Sequence, residues 1–164
     1  MHYNKIRKMD ISNGPGVRVS IFFQGCTFHC KNCFNKETWD FSSGQEFTDE
    51  VIDHILELAN PSHITGLSIL GGEPLHPKNI AGTFELAKKF KEKYPQKSVW
   101  CWTGFKFENL QNEEVFNYID VLIDGQFEED KYDSTLKYRG SSNQRVIDIP
   151  KTLKNKKIIL YKDC

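Results

Sequence analysis

The chain has 164 residues, with 22 basic and 22 acidic side chains, so its formal net charge is zero. That balance gives no long-range attraction toward nucleic acid or an anionic membrane surface, and no apolar run reaches the roughly 20 residues of a membrane-spanning helix. The length suits one domain over residues 1–164 with a substantial core. The opening residues, Met1 to Lys8, are polar and no apolar segment follows, which argues against a secretory signal and for a reducing, cytoplasmic setting.

After a Gly-Pro-Gly turn, Arg18–Gln24 is a β-branched and aromatic run that predicts a first strand. Thr48 is a suitable N-cap for a helix with Asp49 and Glu50 in its first turn. Val51, Ile52, Ile55, Leu56 and Ala59 form its apolar stripe, and Asn60-Pro61 ends it. Leu67–Leu70 predicts a short buried strand closed by Gly71-Gly72. A second helix is expected from Pro77 or Lys78 to Tyr94, with Ile80, Phe84, Ala87 and Lys91 at helical spacing. Ser98–Trp102 predicts a third strand, Asn112-Glu113-Glu114 the cap of a short helix, and Val121–Ile123 a fourth strand ending at Asp124-Gly125. Val146–Ile149 and Lys157–Tyr161 predict a fifth and a sixth.

This alternation predicts an α/β fold with parallel strands joined by right-handed crossovers. The segments are too few for a complete eightfold barrel of typical size, so the expected architecture is a partial barrel, open on one side, with a partner supplying the missing wall. Ligand sites in such folds collect at the carboxyl ends of strands. Four motifs fall there: the loop starting at Gly25, Gly71-Gly72-Glu73-Pro74, Thr103-Gly104-Phe105, and Asp124-Gly125-Gln126-Phe127. They are expected to face one cavity.

The loop after the first predicted strand carries Cys26, Cys30 and Cys33, a C-x3-C-x2-C spacing, against two other cysteines, Cys101 and Cys164. Three close thiolates can hold three irons of a cubane and leave the fourth open to a substrate, whereas full protein ligation takes four cysteines. A zinc site completed by His29 stays open on spacing alone, although no second ligand pair appears. So does a disulfide with one thiol to spare. Cys101 alternates with Trp100 and Trp102 as a strand residue should and reads as core. Cys164, last in the sequence, is expected to be mobile. His54 and His63 read as surface residues, and His76 as a residue that could approach a ligand.

Cys26-x3-Cys30-x2-Cys33 followed by Gly71-Gly72-Glu73-Pro74 resembles the radical S-adenosylmethionine (SAM) superfamily. Asp10–Arg18 (DISNGPGVR) narrows the resemblance to its glycyl-radical-enzyme activases. The small size, Asn35 and Trp39, Asp120–Gly125 (DVLIDG) and Arg139–Gln144 (RGSSNQ) make it similar to the activases of anaerobic ribonucleoside-triphosphate reductases. The resemblance implies a partial (β/α) barrel of the radical SAM type. Cys26, Cys30 and Cys33 would hold a [4Fe–4S] cluster, and Asn32, Cys33, Phe34, Gly71, Gly72 and Glu73 would contact SAM. Asn32 stands where the wider superfamily has an aromatic residue, and Phe34, after the third cysteine, is the expected partner of the adenine.

The implied activity is reductive cleavage of SAM to a 5′-deoxyadenosyl radical, which generates a glycyl radical on the reductase. No catalytic side chain beyond the cluster and SAM is implied. The implied partners are the reductase, in a hetero-oligomer, and a reduced flavodoxin-like electron donor. Activation of another glycyl radical enzyme, or a non-catalytic iron–sulfur or zinc docking module, are the alternative functions. The Arg139–Arg145 segment is expected to close the cavity or dock the partner.

Overall fold

A computed structural model describes residues 1–162; Cys164 lies outside the described residues. Seven strands form one mixed sheet in the order β3-β1-β2-β4-β5-β6-β7. They are β1 (His2–Asp10), β2 (Val17–Phe23), β3 (Gln45–Glu46), β4 (Ile64–Gly71), β5 (Ser98–Trp102), β6 (Val121–Asp124) and β7 (Arg145–Asp148). The central four, β2-β4-β5-β6, run parallel, while β1, β3 and β7 pair antiparallel at the two sides. Four helices accompany them: α1 (Asp49–Leu58), α2 (Ile80–Lys93), α3 (Phe107–Leu110) and α4 (Ile149–Asn155). Among the described residues no helix is long and apolar enough to cross a membrane.

The central strands are largely buried on both faces, as in a covered parallel sheet. Val19, Ile21, Leu67, Ile69, Val99 and Cys101 join α1 and α2 in the main core, whereas Trp100, Val121, Ile123 and Val146 form a smaller cluster. Helix α1 follows its sequence signals. Thr48 caps it by accepting the Val51 N–H at 3.4 Å, and Ile52, Ile55 and Leu56 are buried.

Several elements differ from their sequence-based prediction. Strand β1 was not predicted, because its outward face is lysine and arginine. Those stems cover an apolar ring, with Lys5 Nζ 4.8 Å and the Arg7 guanidinium 5.0 Å from the Phe22 centroid. The buried residues of α2 are Thr83, Leu86, Ala87 and Phe90; of the expected stripe Ala87 is among them, Ile80 and Phe84 pack against the core at its edge, and the helix starts at Ile80. Asn79 is turned inward instead, donating to the carbonyls of Gln24 and Glu73. Residues 114–118 form a 3₁₀ turn. The fifth strand stops at Asp148, whose carboxylate accepts the Lys151 N–H and so caps α4. The expected sixth strand is reduced to a bridge between Leu160 and Ile147.

Beneath the sheet, at the amino ends of the central strands, Arg18 is fully buried. Nε donates to Ser68 Oγ (2.8 Å), Nη2 to the carbonyls of Leu67 and Ser98 (2.9 Å each), and Nη1 to Ser98 Oγ (3.0 Å) and Pro15 O (3.2 Å). One side chain of β2 thus ties β4 to β5. Gly66 makes room for it: a Cβ there would lie 2.6 Å from Arg18 Nη2 and 2.2 Å from Ser98 O. Burial pushes the guanidinium down to about 10, which leaves it charged at neutral pH. Arg18→Met should cost about 3 kcal/mol, because it strands buried carbonyl and hydroxyl acceptors. Urea unfolding checks this, and an unchanged midpoint would show that these bonds contribute nothing net.

Candidate functional site

The carboxyl ends of β2, β4, β5 and β6 open into one cavity of about 610 Å³. The loop after β2 leaves and returns through a paired base: Gly25 N–H donates to Thr38 O (2.7 Å) and Cys26 N–H to Trp39 O (3.1 Å). Within it His29 and Asn32 take left-handed backbone, with φ of 48° and 55°. These turns, with the Cys33 N–H bonded to Cys30 O at 3.1 Å, bring Cys26, Cys30 and Cys33 onto the cavity wall. His29 stacks outside on Trp39, 4.3 Å between ring centres. Asn35 braces the exit, its amide donating to Gly71 O and its carbonyl accepting the Thr38 hydroxyl.

Burial pushes the thiols of Cys26 and Cys30 up, and the neighbouring Cys33 sulfur adds to this at Cys30. Thiolates here therefore need a cationic centre to stabilise them. Among the described residues no three His, Cys, Asp or Glu side chains converge on a point that would hold one ion. The three sulfurs face a shared space, and in a cubane each thiolate meets its own iron.

Glu73 knots the loops together. Its Oε2 accepts the Leu75 N–H (2.9 Å) and the Thr103 hydroxyl (2.7 Å), and its Oε1 accepts the Gly104 N–H (2.6 Å). Its own N–H donates to Gly25 O at 2.7 Å. The loops after β2, β4 and β5 thus meet at one residue that is 1% exposed. The two glycines before it answer to packing. A Cβ on Gly71, whose φ is 115°, would lie 2.4 Å from the Phe23 nitrogen, and one on Gly72 would lie 2.6 Å from both Gly25 O and Thr38 O. Both glycines also line the cavity, so the same lack of a Cβ serves the packing of the loops and leaves their backbone open on the cavity side.

The segment from Gln126 to Gln144 crosses the cavity mouth. Phe127 and Tyr132 lie 5.1 and 5.9 Å from the Phe34 ring. Phe34 lines the cavity but is 62% exposed. Asn32 does not line it: its amide donates to Glu129, which also pairs with Lys31 at 3.3 Å. His76 turns away, accepting the Lys78 N–H and packing on Phe41. Cys101 is buried in the core, and burial pushes its thiol well up.

A family described as a 4Fe-4S single cluster domain matches residues 12–147. Proteins named anaerobic ribonucleoside-triphosphate reductase-activating protein are similar over nearly the whole length. The Escherichia coli K12 protein is 41% identical, covering 89% of this chain and 97% of the relative. The enterobacteria phage T4 protein is 40% identical (89% and 93%) and the Vibrio cholerae protein 39% (88% and 96%). The chain belongs to this family of activating proteins.

In this activating protein two arginines at the ends of the RGSSNQR stretch do different work. Arg145 pairs with the buried Asp124, Nε to Oδ1 at 3.0 Å and Nη2 to Oδ2 at 2.5 Å, and so ties β7 to β6. Arg139 lines the cavity instead. Sequence reasoning gave the Arg139–Arg145 segment a cavity-closing or docking role without singling out Arg139, and it did not place Arg7 in the cavity wall. The inward Asp124 was equally hidden, since its partner lies 21 residues away.

Burial raises the Glu73 carboxyl from its ordinary 4.5 to about 7. Its contribution to stability is therefore complete below about pH 4.5 and is lost as pH rises through about 7. Glu73→Gln should remove that pH dependence and turn an amide N–H₂ toward one of the three donors, at a cost of about 1–3 kcal/mol. Hydrogen exchange at the Leu75 and Gly104 amides should then accelerate; unchanged exchange would deny Glu73 its knotting role.

Proposed function

We propose that this chain is an activating enzyme of an anaerobic ribonucleoside-triphosphate reductase. Cys26, Cys30 and Cys33 would hold a [4Fe–4S] cluster whose fourth iron takes SAM. The observation that carries this is the meeting of three cysteines and the loop Gly71-Gly72-Glu73 on one cavity of about 610 Å³, within the range of a small-molecule site. The donor set fits the group, being three thiols on the cavity wall, with Cys101, the other cysteine among the described residues, buried in the core. The seven-stranded sheet would be the wall of an open, partial barrel of the radical SAM type.

A cluster held by Cys26, Cys30 and Cys33, with SAM bound, would supply one-electron reductive chemistry for hydrogen-atom abstraction from a glycine of the reductase. The protein's own residues bind, orient and exclude water. The hairpin-like base of the cysteine loop fixes the three thiols. Glu73 holds the loops beside them in register, and its carboxylate oxygens are already engaged by Leu75, Thr103 and Gly104. Phe34, Phe127 and Tyr132 give an aromatic mouth suited to an adenine ring or to the reductase's glycine-bearing segment. That mouth opens outward, in keeping with a protein substrate, a hetero-oligomer with the reductase, and an electron from a reduced flavodoxin-like carrier.

Low-temperature EPR of the anaerobically reconstituted, reduced protein tests the reading. A [4Fe–4S]⁺ signal that changes on adding SAM is expected, followed by 5′-deoxyadenosine and a glycyl radical when the reductase is present. Cys30→Ala should abolish both products. A cluster signal blind to SAM would overturn the proposal.

A further inference from the structure

We propose that the open sheet edge at residues 158–161, with the lysines around it, is a docking surface that takes an acidic, extended segment of the reductase as an added strand. The inference rests on the reductase as partner, proposed above, and concerns a surface outside the cavity.

The edge is defined by its hydrogen bonds. Residues 158–161 lie along β7. The Tyr161 N–H donates to Val146 O and the Asp148 N–H to Ile159 O, both at 2.9 Å, on either side of the bridge between Ile147 and Leu160. In an antiparallel pair this pattern turns the N–H and C=O of Leu160 away from β7. Among the described residues neither group has a partner, and Leu160 is 57% exposed. An outward backbone N–H and C=O on a sheet edge are a template for another strand.

The charge around the edge selects what fits it. Between Ile149 and Lys162 the sequence has five lysines, Lys151, Lys154, Lys156, Lys157 and Lys162, and no acidic residue. All five are exposed, and among the described residues none forms an ion pair. The chain as a whole is neutral, so this is a local concentration of charge. Lysine on an edge strand also guards against unwanted pairing. That use calls for charge on the strand itself, whereas Lys151, Lys154 and Lys156 lie on α4 and its C-cap. Leu153, next to Lys154, is exposed as well. Pairing this edge with the same edge of a second copy would bring like charges together. Duplex DNA or anionic lipid would use the lysines and leave the Leu160 backbone unpaired. An acidic strand satisfies both, with Leu153 and Leu160 as apolar contacts inside a charged rim.

The edge is also well placed for the same partner. Strand β7 begins at Arg145, directly after the segment that crosses the cavity mouth. A reductase that offers its glycine to the cavity can lay a second segment on this edge, and two linked contacts strengthen each other.

Two measurements on the full chain test this. In hydrogen exchange, the Leu160 amide should exchange at least about 10-fold more slowly in the complex with the reductase than in the free protein. Reductase affinity is then compared for wild type, Lys154→Glu/Lys157→Glu and Lys154→Arg/Lys157→Arg, in about 0.1 M and about 1 M salt. The glutamate pair should weaken binding about 10-fold in low salt, the scale of two exposed ion pairs lost and reversed, and much of that difference should vanish in high salt. The arginine pair should bind as wild type, and the SAM-dependent EPR change of the isolated protein should be the same in all three. An unprotected Leu160 amide in the complex, or wild-type affinity in the glutamate pair, would overturn the inference and leave the activase reading standing. A weakening that ignores salt, or that comes with altered circular dichroism, would make the role of these lysines structural and overturn it too. So would tighter binding of wild type to duplex DNA than to the reductase. Failure of wild type to bind the reductase at all would remove that partner, and this inference with it.

Discussion

A single buried carboxylate organises the working end of this molecule. Glu73 sits where the loops after β2, β4 and β5 converge, and its side chain and backbone bond to all three. Parallel strands end side by side with their loops unpaired, so some group must satisfy the backbone N–H groups that gather there. A carboxylate does so with two oxygens and several lone pairs, which no neutral side chain matches. The cost is burial of an acid, visible as the upward push on its carboxyl. The crowding at Gly71 and Gly72 follows from the same convergence, since loops drawn this close leave no space for a Cβ.

The opposite end of the sheet answers with the opposite charge. Arg18 reaches from β2 under β4 to β5, and its acceptors among the described residues are carbonyls and hydroxyls. A guanidinium with five donors can bridge several strands at once, where a lysine would offer three donors from one point. The two buried ionisable groups therefore tie the central strands and the loops that leave them at opposite ends of the sheet.

The cysteine loop and the Gln126–Gln144 segment build on that frame. The loop's base is closed by Gly25–Thr38 and Cys26–Trp39 bonds, so the thiols are positioned without depending on exposed side chains. The crossing segment reaches the loop by contacts of another kind: an ion pair and hydrogen bond from Glu129, and aromatic contacts to Phe34. Exposed ion pairs are worth little, so this side of the cavity is held more weakly than the side knotted by Glu73. A protein substrate reaching the cavity would meet the weaker side.

The sequence alone determined the parts whose signals are local. The α1 cap at Thr48, the apolar runs of β2, β4, β5 and β6, and the cysteine loop all rest on residues a few positions apart. The shared placement of four loop motifs followed from strand order, because parallel strands put their carboxyl ends on one side. The tertiary structure decided whatever depends on long-range pairing. Strand β1 exists because β2 offers Phe22 to its lysine and arginine stems, and 157–161 falls short of a strand because α4 intervenes after Asp148. Asp124 turns inward because Arg145 lies opposite it across the β6–β7 pair. Glu73 could be read in sequence as a ligand residue; only the fold reveals it as the tie between three loops, since its partners at Thr103 and Gly104 come from a different strand.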